Sequence, residues 1–174
     1  GIAGAADWVL LPEQPMHKGW EDDMCERVKQ LRQLGKRLTI VIVSEGAIDM
    51  ENKKITSQYV RSVLEDRLHH DTRITILGHV QRGGKPSAFD RAMGCRVGAA
   101  AALSLLQAKG EVPPTMIGIQ GNLIKESPLM CCVMQNKKID KAMETHDYNE
   151  AVSLRGDSFR KNIGLIKRLE LSGK

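Results

Sequence analysis

Aromatic side chains are scarce in this sequence, which has two Phe, two Tyr and two Trp among its 174 residues. The core must therefore be aliphatic, and an apolar fraction of 41% is enough to build one, so the composition does not favour disorder. The net charge is +5, from 26 basic and 21 acidic residues. That excess suits an anionic small molecule. It does not favour nucleic acid as a partner, because the basic residues are scattered and few aromatic rings are available for stacking.

The cysteines show no Cys-x-x-Cys spacing, and two of the four are adjacent, a spacing at which disulfides rarely form: Cys25, Cys95, Cys131 and Cys132. Reduced thiols in a cytoplasmic protein are the simplest interpretation. No signal-peptide pattern is present, and no apolar run reaches the roughly 18 residues that a membrane span needs. The sequence therefore predicts a cytoplasmic protein without a membrane partner.

Short apolar, β-branched runs alternate with segments of helical periodicity. This alternation predicts an α/β fold, a three-layer sandwich with a mainly parallel sheet, over a single region spanning residues 1–174. The predicted strands are 8–11, 38–44, 74–77, 116–119 and 129–134. The predicted helices are 20–34, 87–107, 138–145, 149–155, 158–171 and a segment from a cap at Thr56 or Ser57 to about His69.

Residues 73–91 form the most informative stretch of the chain. A predicted strand ends at Gly78 and is followed by His79, Val80, Gln81 and Arg82, then by a glycine pair. Arg82 offers a planar fork that suits phosphate oxygens, and consecutive glycine N–H groups can face an anion. Taken singly, each residue could equally lie on a solvated surface turn. Together, the groups indicate a phosphorylated polar ligand at the end of a strand.

The whole stretch resembles the sugar-phosphate-binding signature of the 6-phosphofructokinases. Arg73, Gly78-His79, Gln81-Arg82-Gly83-Gly84 and Asp90-Arg91 match the defined positions of that signature. Residues 4–13, 40–49 and 154–159 also resemble segments of this family, so the likeness extends along nearly the whole chain. It is strongest to the catalytic half of the animal-type, ATP-dependent enzymes.

The resemblance implies a phosphofructokinase-like fold and a role in glycolysis, the transfer of a phosphoryl group from ATP to the 1-hydroxyl of fructose 6-phosphate. It implies that Arg73 reaches the substrate of a neighbouring subunit in a tetramer. The family's segments for ATP, Mg²⁺ and the catalytic base are expected upstream, so we expect the chain alone to be inactive. The residues expected to bind fructose 6-phosphate are Glu45, Arg73, His79, Val80, Gln81 and Arg82.

An allosteric effector site is also implied, more weakly. Glu13 lies at the end of a predicted strand, and Lys36 and Arg37 follow a predicted helix, at positions that match effector contacts in the family. A solvated loop carboxylate explains Glu13 equally well. The two basic residues could instead complement the carbonyl end of the helix.

Two other functions remain open. The chain could be the non-catalytic effector-binding half, or a truncated isoform that acts as a binding module. Retention of Glu45, Arg73 and Arg82 favours the catalytic type. The chain could also resemble the pyrophosphate-dependent relatives, since the residues that separate the two donors are expected upstream.

Overall fold

The structure is a computed structural model that describes residues 1–110 and 112–171. In chain order the elements are β1 (Trp8–Leu10), α1 (Trp20–Gln33), β2 (Val41–Val43), α2 (Ser57–Leu68), α3 (Ala88–Gln107), β3 (Thr115–Gln120), β4 (Leu123–Pro128), α4 (Leu129–Glu144), α5 (Tyr148–Leu154) and α6 (Asp157–Leu171). They divide into two compact units. The first comprises residues 1–75 and the chain from Lys141 onward, and the second comprises residues 76–140.

The first unit is built on a parallel pair of strands. β1 and β2 pair with Trp8 opposite Val41 and Leu10 opposite Val43. α1 and α2 enclose a core against these strands, and the apolar residues of α1 recur at helical spacing because one face must point inward. The buried cluster consists of Leu10, Trp20, Met24, Cys25, Val28, Ala47, Ile55, Val60, Val63 and Leu64.

Met24 is fully buried at the centre of that cluster. Replacement by Ala is expected to lower the free energy of unfolding by about 2–5 kcal/mol, because the transfer energy of the side chain is lost and a cavity remains. Urea denaturation followed by circular dichroism measures this change. Leu34→Ala is the control, since Leu34 is 71% exposed and its loss should change stability by no more than about 0.5 kcal/mol. Equal midpoints for the two variants would contradict the packing described.

Several helix ends lie where the sequence predicts them, because capping is local chemistry. Thr56 caps α2 by accepting a hydrogen bond from the Tyr59 N–H at 3.1 Å. Gly35 follows the C-cap of α1 with φ 86°, and the N–H of Lys36 donates to the Leu31 carbonyl at 3.0 Å. This is the glycine-terminated ending that the sequence indicates.

The second unit contains an antiparallel hairpin. β3 and β4 pair from Thr115 opposite Pro128 to Gln120 opposite Leu123, and α3 packs on both strands. The strands are joined by a two-residue loop that begins at Gly121, where φ is 62°. A glycine at the first central position is the requirement of a tight hairpin turn. β4 was not predicted, although Gly121-Asn122 between two apolar runs was a usable signal.

Two predicted strands are wrong. Residues 74–77 are not in a strand, and Ile76 and Leu77 are 80% and 52% exposed. A strand needs a neighbour for its backbone groups, and among the described residues none pairs with this segment. Residues 129–134 are the first turns of α4 rather than a strand. A short apolar run does not by itself distinguish the two structures.

Within the described residues, none of the helices combines the length and the hydropathy required to cross a bilayer.

Candidate functional site

The turn at Gly78–Arg82 is the centre of the candidate site, and its backbone forms a short 3₁₀ helix. The N–H of Val80 donates to the Leu77 carbonyl and that of Gly83 to the Val80 carbonyl, both at 3.1 Å. Gly78 and Gly83 have φ values of 53° and 116°, in the region that glycine adopts without strain. Both glycines are therefore required by the geometry of the turn.

The side chains on this turn are exposed, and the polar ones form no hydrogen bond or ion pair with the described residues. His79, Val80, Gln81 and Arg82 are all exposed. In the described part of the chain, the side chains of His79, Gln81 and Arg82 have no hydrogen-bond or ion-pair partner. One turn thus presents an imidazole, an amide and a guanidinium to solvent, next to the N–H group of Gly84, whereas the Gly83 N–H is bonded to the Val80 carbonyl. These groups can donate hydrogen bonds to phosphate and hydroxyl oxygens.

Glu45 and Arg73 belong to the first unit, whereas His79, Val80, Gln81 and Arg82 belong to the second. Glu45 is exposed just beyond the C-terminal end of β2, where Ser44 N–H donates to the Leu10 carbonyl at 3.0 Å. Arg73 has an 88% exposed side chain and only a distant contact, 3.7 Å from Nε to Asp71 Oδ2. Both charged side chains are thus accessible to solvent. Glu45 lies just after β2, and Arg73 lies in the segment that follows α2.

Asp90, the acidic residue of the signature, takes part in capping the N-terminus of α3. Ser87 caps the helix, and Asp90 Oδ2 accepts hydrogen bonds from the Ser87 N–H at 2.8 Å and the Ser87 hydroxyl at 2.7 Å. These bonds to the ionised form, the side-chain bond first, lower the pKa of Asp90 below its ordinary value. Asp90 therefore fixes where the loop after Arg82 enters α3.

The capping bonds make α3 sensitive to acid at its start. Because the folded pKa of Asp90 is depressed, its stabilisation is present above the ordinary aspartate pKa and is lost as pH falls through the folded value. Ser87→Ala is expected to raise the pKa of Asp90 towards the ordinary value, as measured by a nuclear magnetic resonance titration. Ser104→Ala, a control later in the same helix, should leave the titration unchanged. An unaltered Asp90 titration in Ser87→Ala would disprove the capping role.

Two of the three residues predicted at the effector site take part in ion pairs. Glu13 is buried and is paired with Arg155, whose guanidinium lies 5.0 Å from the centre of the Phe159 ring. Lys36 is paired with the buried carboxylate of Asp7.

Asp7 also accepts a hydrogen bond from the Ile40 N–H at 2.9 Å. Arg37 is exposed and has no ion-pair partner among the described residues. An effector that bound Glu13 or Lys36 would have to compete with these pairs. Their roles at an effector site stay predictions.

In residues 1–110 and 112–171, no group of three His, Cys, Asp or Glu side chains is arranged to hold a metal ion. The exposed groups of the candidate site can bind and orient a ligand through hydrogen bonds and charge.

The family model described as Phosphofructokinase matches residues 1–105, well over half of the chain. The chain belongs to the phosphofructokinase family. It is 49% identical over 170 residues to the platelet-type ATP-dependent 6-phosphofructokinase of Rattus norvegicus, covering 98% of this chain and 22% of the relative. It is 46% identical over 168 residues to the liver-type enzyme of Bos taurus, covering 97% and 22%. The chain thus spans about a fifth of the length of these relatives.

Solved phosphofructokinases share its fold. The structure of phosphofructokinase from Saccharomyces cerevisiae matches with a TM-score of 0.87 and 40% identity, covering 96% of this chain and 22% of that one. The Pichia pastoris enzyme in the T-state matches with a TM-score of 0.84 and 39% identity, covering 95% and 19%. The predicted phosphofructokinase-like α/β fold is therefore confirmed.

Proposed function

We propose that this chain is the sugar-phosphate-binding part of a larger, ATP-dependent 6-phosphofructokinase subunit, a single α/β region over residues 1–174. The observation that carries the proposal is the 73–91 signature, which presents His79, Gln81 and Arg82 as unpaired side chains on one glycine-bounded turn. The protein would convert fructose 6-phosphate into fructose 1,6-bisphosphate, a step of glycolysis, in the cytoplasm.

Binding follows from the chemistry of the exposed groups. The Arg82 guanidinium would donate two parallel hydrogen bonds to the 6-phosphate, and His79 would add a third donor. Gln81 and the backbone at Val80 would complete the loop around the phosphate. Glu45 can only accept hydrogen bonds when ionised, so it would select sugar hydroxyls rather than phosphate. Arg73 would reach the substrate of a neighbouring subunit in a homo- or hetero-tetramer.

The phosphoryl donor would be ATP, with Mg²⁺ to neutralise its phosphates. No group of three metal-ligating side chains lies among the described residues, and the part proposed for this chain is to hold the sugar with its 1-hydroxyl accessible. We therefore expect no kinase activity from the chain alone.

Calorimetry with fructose 6-phosphate tests the proposal directly. Saturable binding is expected for the folded chain, with unphosphorylated fructose binding far more weakly because it lacks the charge that Arg82 recognises. A coupled assay with ATP should give no turnover. Preference for an adenine nucleotide over the sugar phosphate would instead support the effector-binding half, and turnover with pyrophosphate would support the pyrophosphate-dependent type.

A further inference from the structure

A cavity of about 300 Å³ lies in the first unit. It is lined by Pro15, Asp49, Met50, Asn52, His146 and Tyr148. None of these residues is proposed above to bind fructose 6-phosphate or an effector. The cavity therefore has no assigned role.

Two turns form the walls of this cavity, and each holds a non-glycine residue in the left-handed region. Asn52 has φ 62° in the turn after Asp49, and His146 has φ 60° just after α4. The Asp147 N–H donates to the Ala142 carbonyl at 2.8 Å, so His146 occupies the position where helices commonly end in glycine. A side chain there costs backbone strain that glycine would avoid, and such strain is found disproportionately at binding sites.

The polar groups of the lining are only partly used by the protein. Asp49 Oδ1 accepts from the N–H groups of Glu51 and Lys53, at 2.9 and 2.8 Å. Its second oxygen and the Asn52 amide have no partner in the described part of the chain. His146 Nδ1 and the Tyr148 hydroxyl form a hydrogen bond of 2.8 Å. Whichever of the two donates, the pair retains one further donor and one further acceptor.

This inventory selects one kind of ligand group. The free oxygen of Asp49 requires a hydrogen-bond donor from the ligand. The Asn52 amide can both donate and accept hydrogen bonds, and the His146–Tyr148 pair has one free donor and one free acceptor. A phosphate only accepts hydrogen bonds and would be repelled by the Asp49 carboxylate. An ammonium group only donates, so it would leave the donors of the lining unpaired. A hydroxyl both donates and accepts, so it matches every group.

The rest of the lining favours a ring over an open chain. Pro15, Met50 and the Tyr148 ring present apolar surface, and the His146 and Tyr148 rings lie 5.9 Å apart at 56°. Apolar surface with a few convergent polar groups is typical of small-molecule sites. We propose that this cavity binds an unphosphorylated monosaccharide, whose hydroxyls meet Asp49, Asn52 and the His146–Tyr148 pair and whose C–H face packs on Tyr148.

A nuclear magnetic resonance titration of the chain with D-glucose, D-fructose and D-mannose tests this proposal. At least one sugar should shift the amides around Asp49, Asn52 and His146 in a saturable way. D-glucose 6-phosphate and glycerol are the comparison ligands. The first carries the charge that Asp49 repels, and the second carries hydroxyls without a ring, so both should bind more weakly.

Asp49→Asn is the decisive variant. It keeps the oxygen that caps the turn but replaces the free carboxylate oxygen with a donor, so the affinity should fall about tenfold or more. Tyr148→Phe should weaken binding less, because the ring remains. Asp66→Asn, on the exposed face of α2, should change nothing. The proposal is overturned if no sugar gives a saturable shift, if glycerol or the phosphorylated sugar binds as well, or if Asp49→Asn retains full affinity.

Discussion

Arg82→Ala is expected to weaken the binding of fructose 6-phosphate by about 10- to 100-fold, the range typical of hydrogen bonds to a charged group. The Arg82 side chain is exposed and has no partner within the described residues, so its removal breaks no contact of the free chain. The loss should appear entirely in binding. Calorimetry measures it, and an unchanged urea midpoint establishes that folding is intact.

Arg82→Lys is the matched control for geometry. It keeps the charge but loses the planar fork, so its affinity should fall between those of the parent and Arg82→Ala. Arg61→Ala removes another exposed arginine, which pairs with Glu65 on α2, and should leave binding unchanged. If Arg82→Ala binds as tightly as the parent chain, Arg82 does not contact the phosphate. The sequence signature would then specify only the backbone conformation of the turn.

Glu45→Gln tests the proposed contact with the sugar hydroxyls separately from the proposed contact with the phosphate. Glu45 would accept hydrogen bonds from sugar hydroxyls, so its loss should weaken binding without reducing the dependence on salt. Arg82→Ala should instead reduce the salt dependence, because the phosphate loses its counter-charge. The same salt dependence in both variants would mean that the two residues contact the same ligand group.

Local chemistry explains which parts of the fold could be predicted from the sequence. The caps at Thr56 and Ser87 and the glycine after α1 satisfy backbone groups within a few residues, so their signals lie in the sequence beside them. The strand predicted at 74–77 needed a neighbour that local sequence does not specify. For residues 129–134, the run was short enough to fit either a strand or a helix.

The same distinction applies to the sites. The exposed turn at residues 78–82 is defined by adjacent glycines and could be predicted. The pairing of Glu13 with Arg155 joins residues that are 142 positions apart, and no periodicity in the sequence indicates it. Likewise, the cavity next to Asp49 is lined jointly by the turn after Asp49 and by His146 and Tyr148, which lie almost 100 positions later in the sequence. Interactions of this kind come from tertiary packing, which composition and spacing do not report.

The pairing of Glu13 and Arg155 gives a large expected effect on stability. The Glu13 side chain is 5% exposed and that of Arg155 33%, so the carboxylate is enclosed while the guanidinium still touches water. Removing one partner of a buried pair leaves an uncompensated charge, which costs about 3–5 kcal/mol when both partners are enclosed. For Arg155→Ala we expect about 2–4 kcal/mol, because the remaining exposure lets water solvate part of the site.

A double variant identifies the cause of this loss. Glu13→Gln removes the buried charge, so Glu13→Gln with Arg155→Ala should be more stable than Arg155→Ala alone, as measured by urea denaturation. Arg160→Ala breaks an exposed pair with Asp157 and should cost no more than about 1 kcal/mol. If Glu13→Gln does not rescue Arg155→Ala, the loss must come instead from packing on Phe159. In that case the ion pair of Glu13 with Arg155 would contribute little to stability, and an effector that binds the Glu13 carboxylate could replace Arg155 at little cost in free energy.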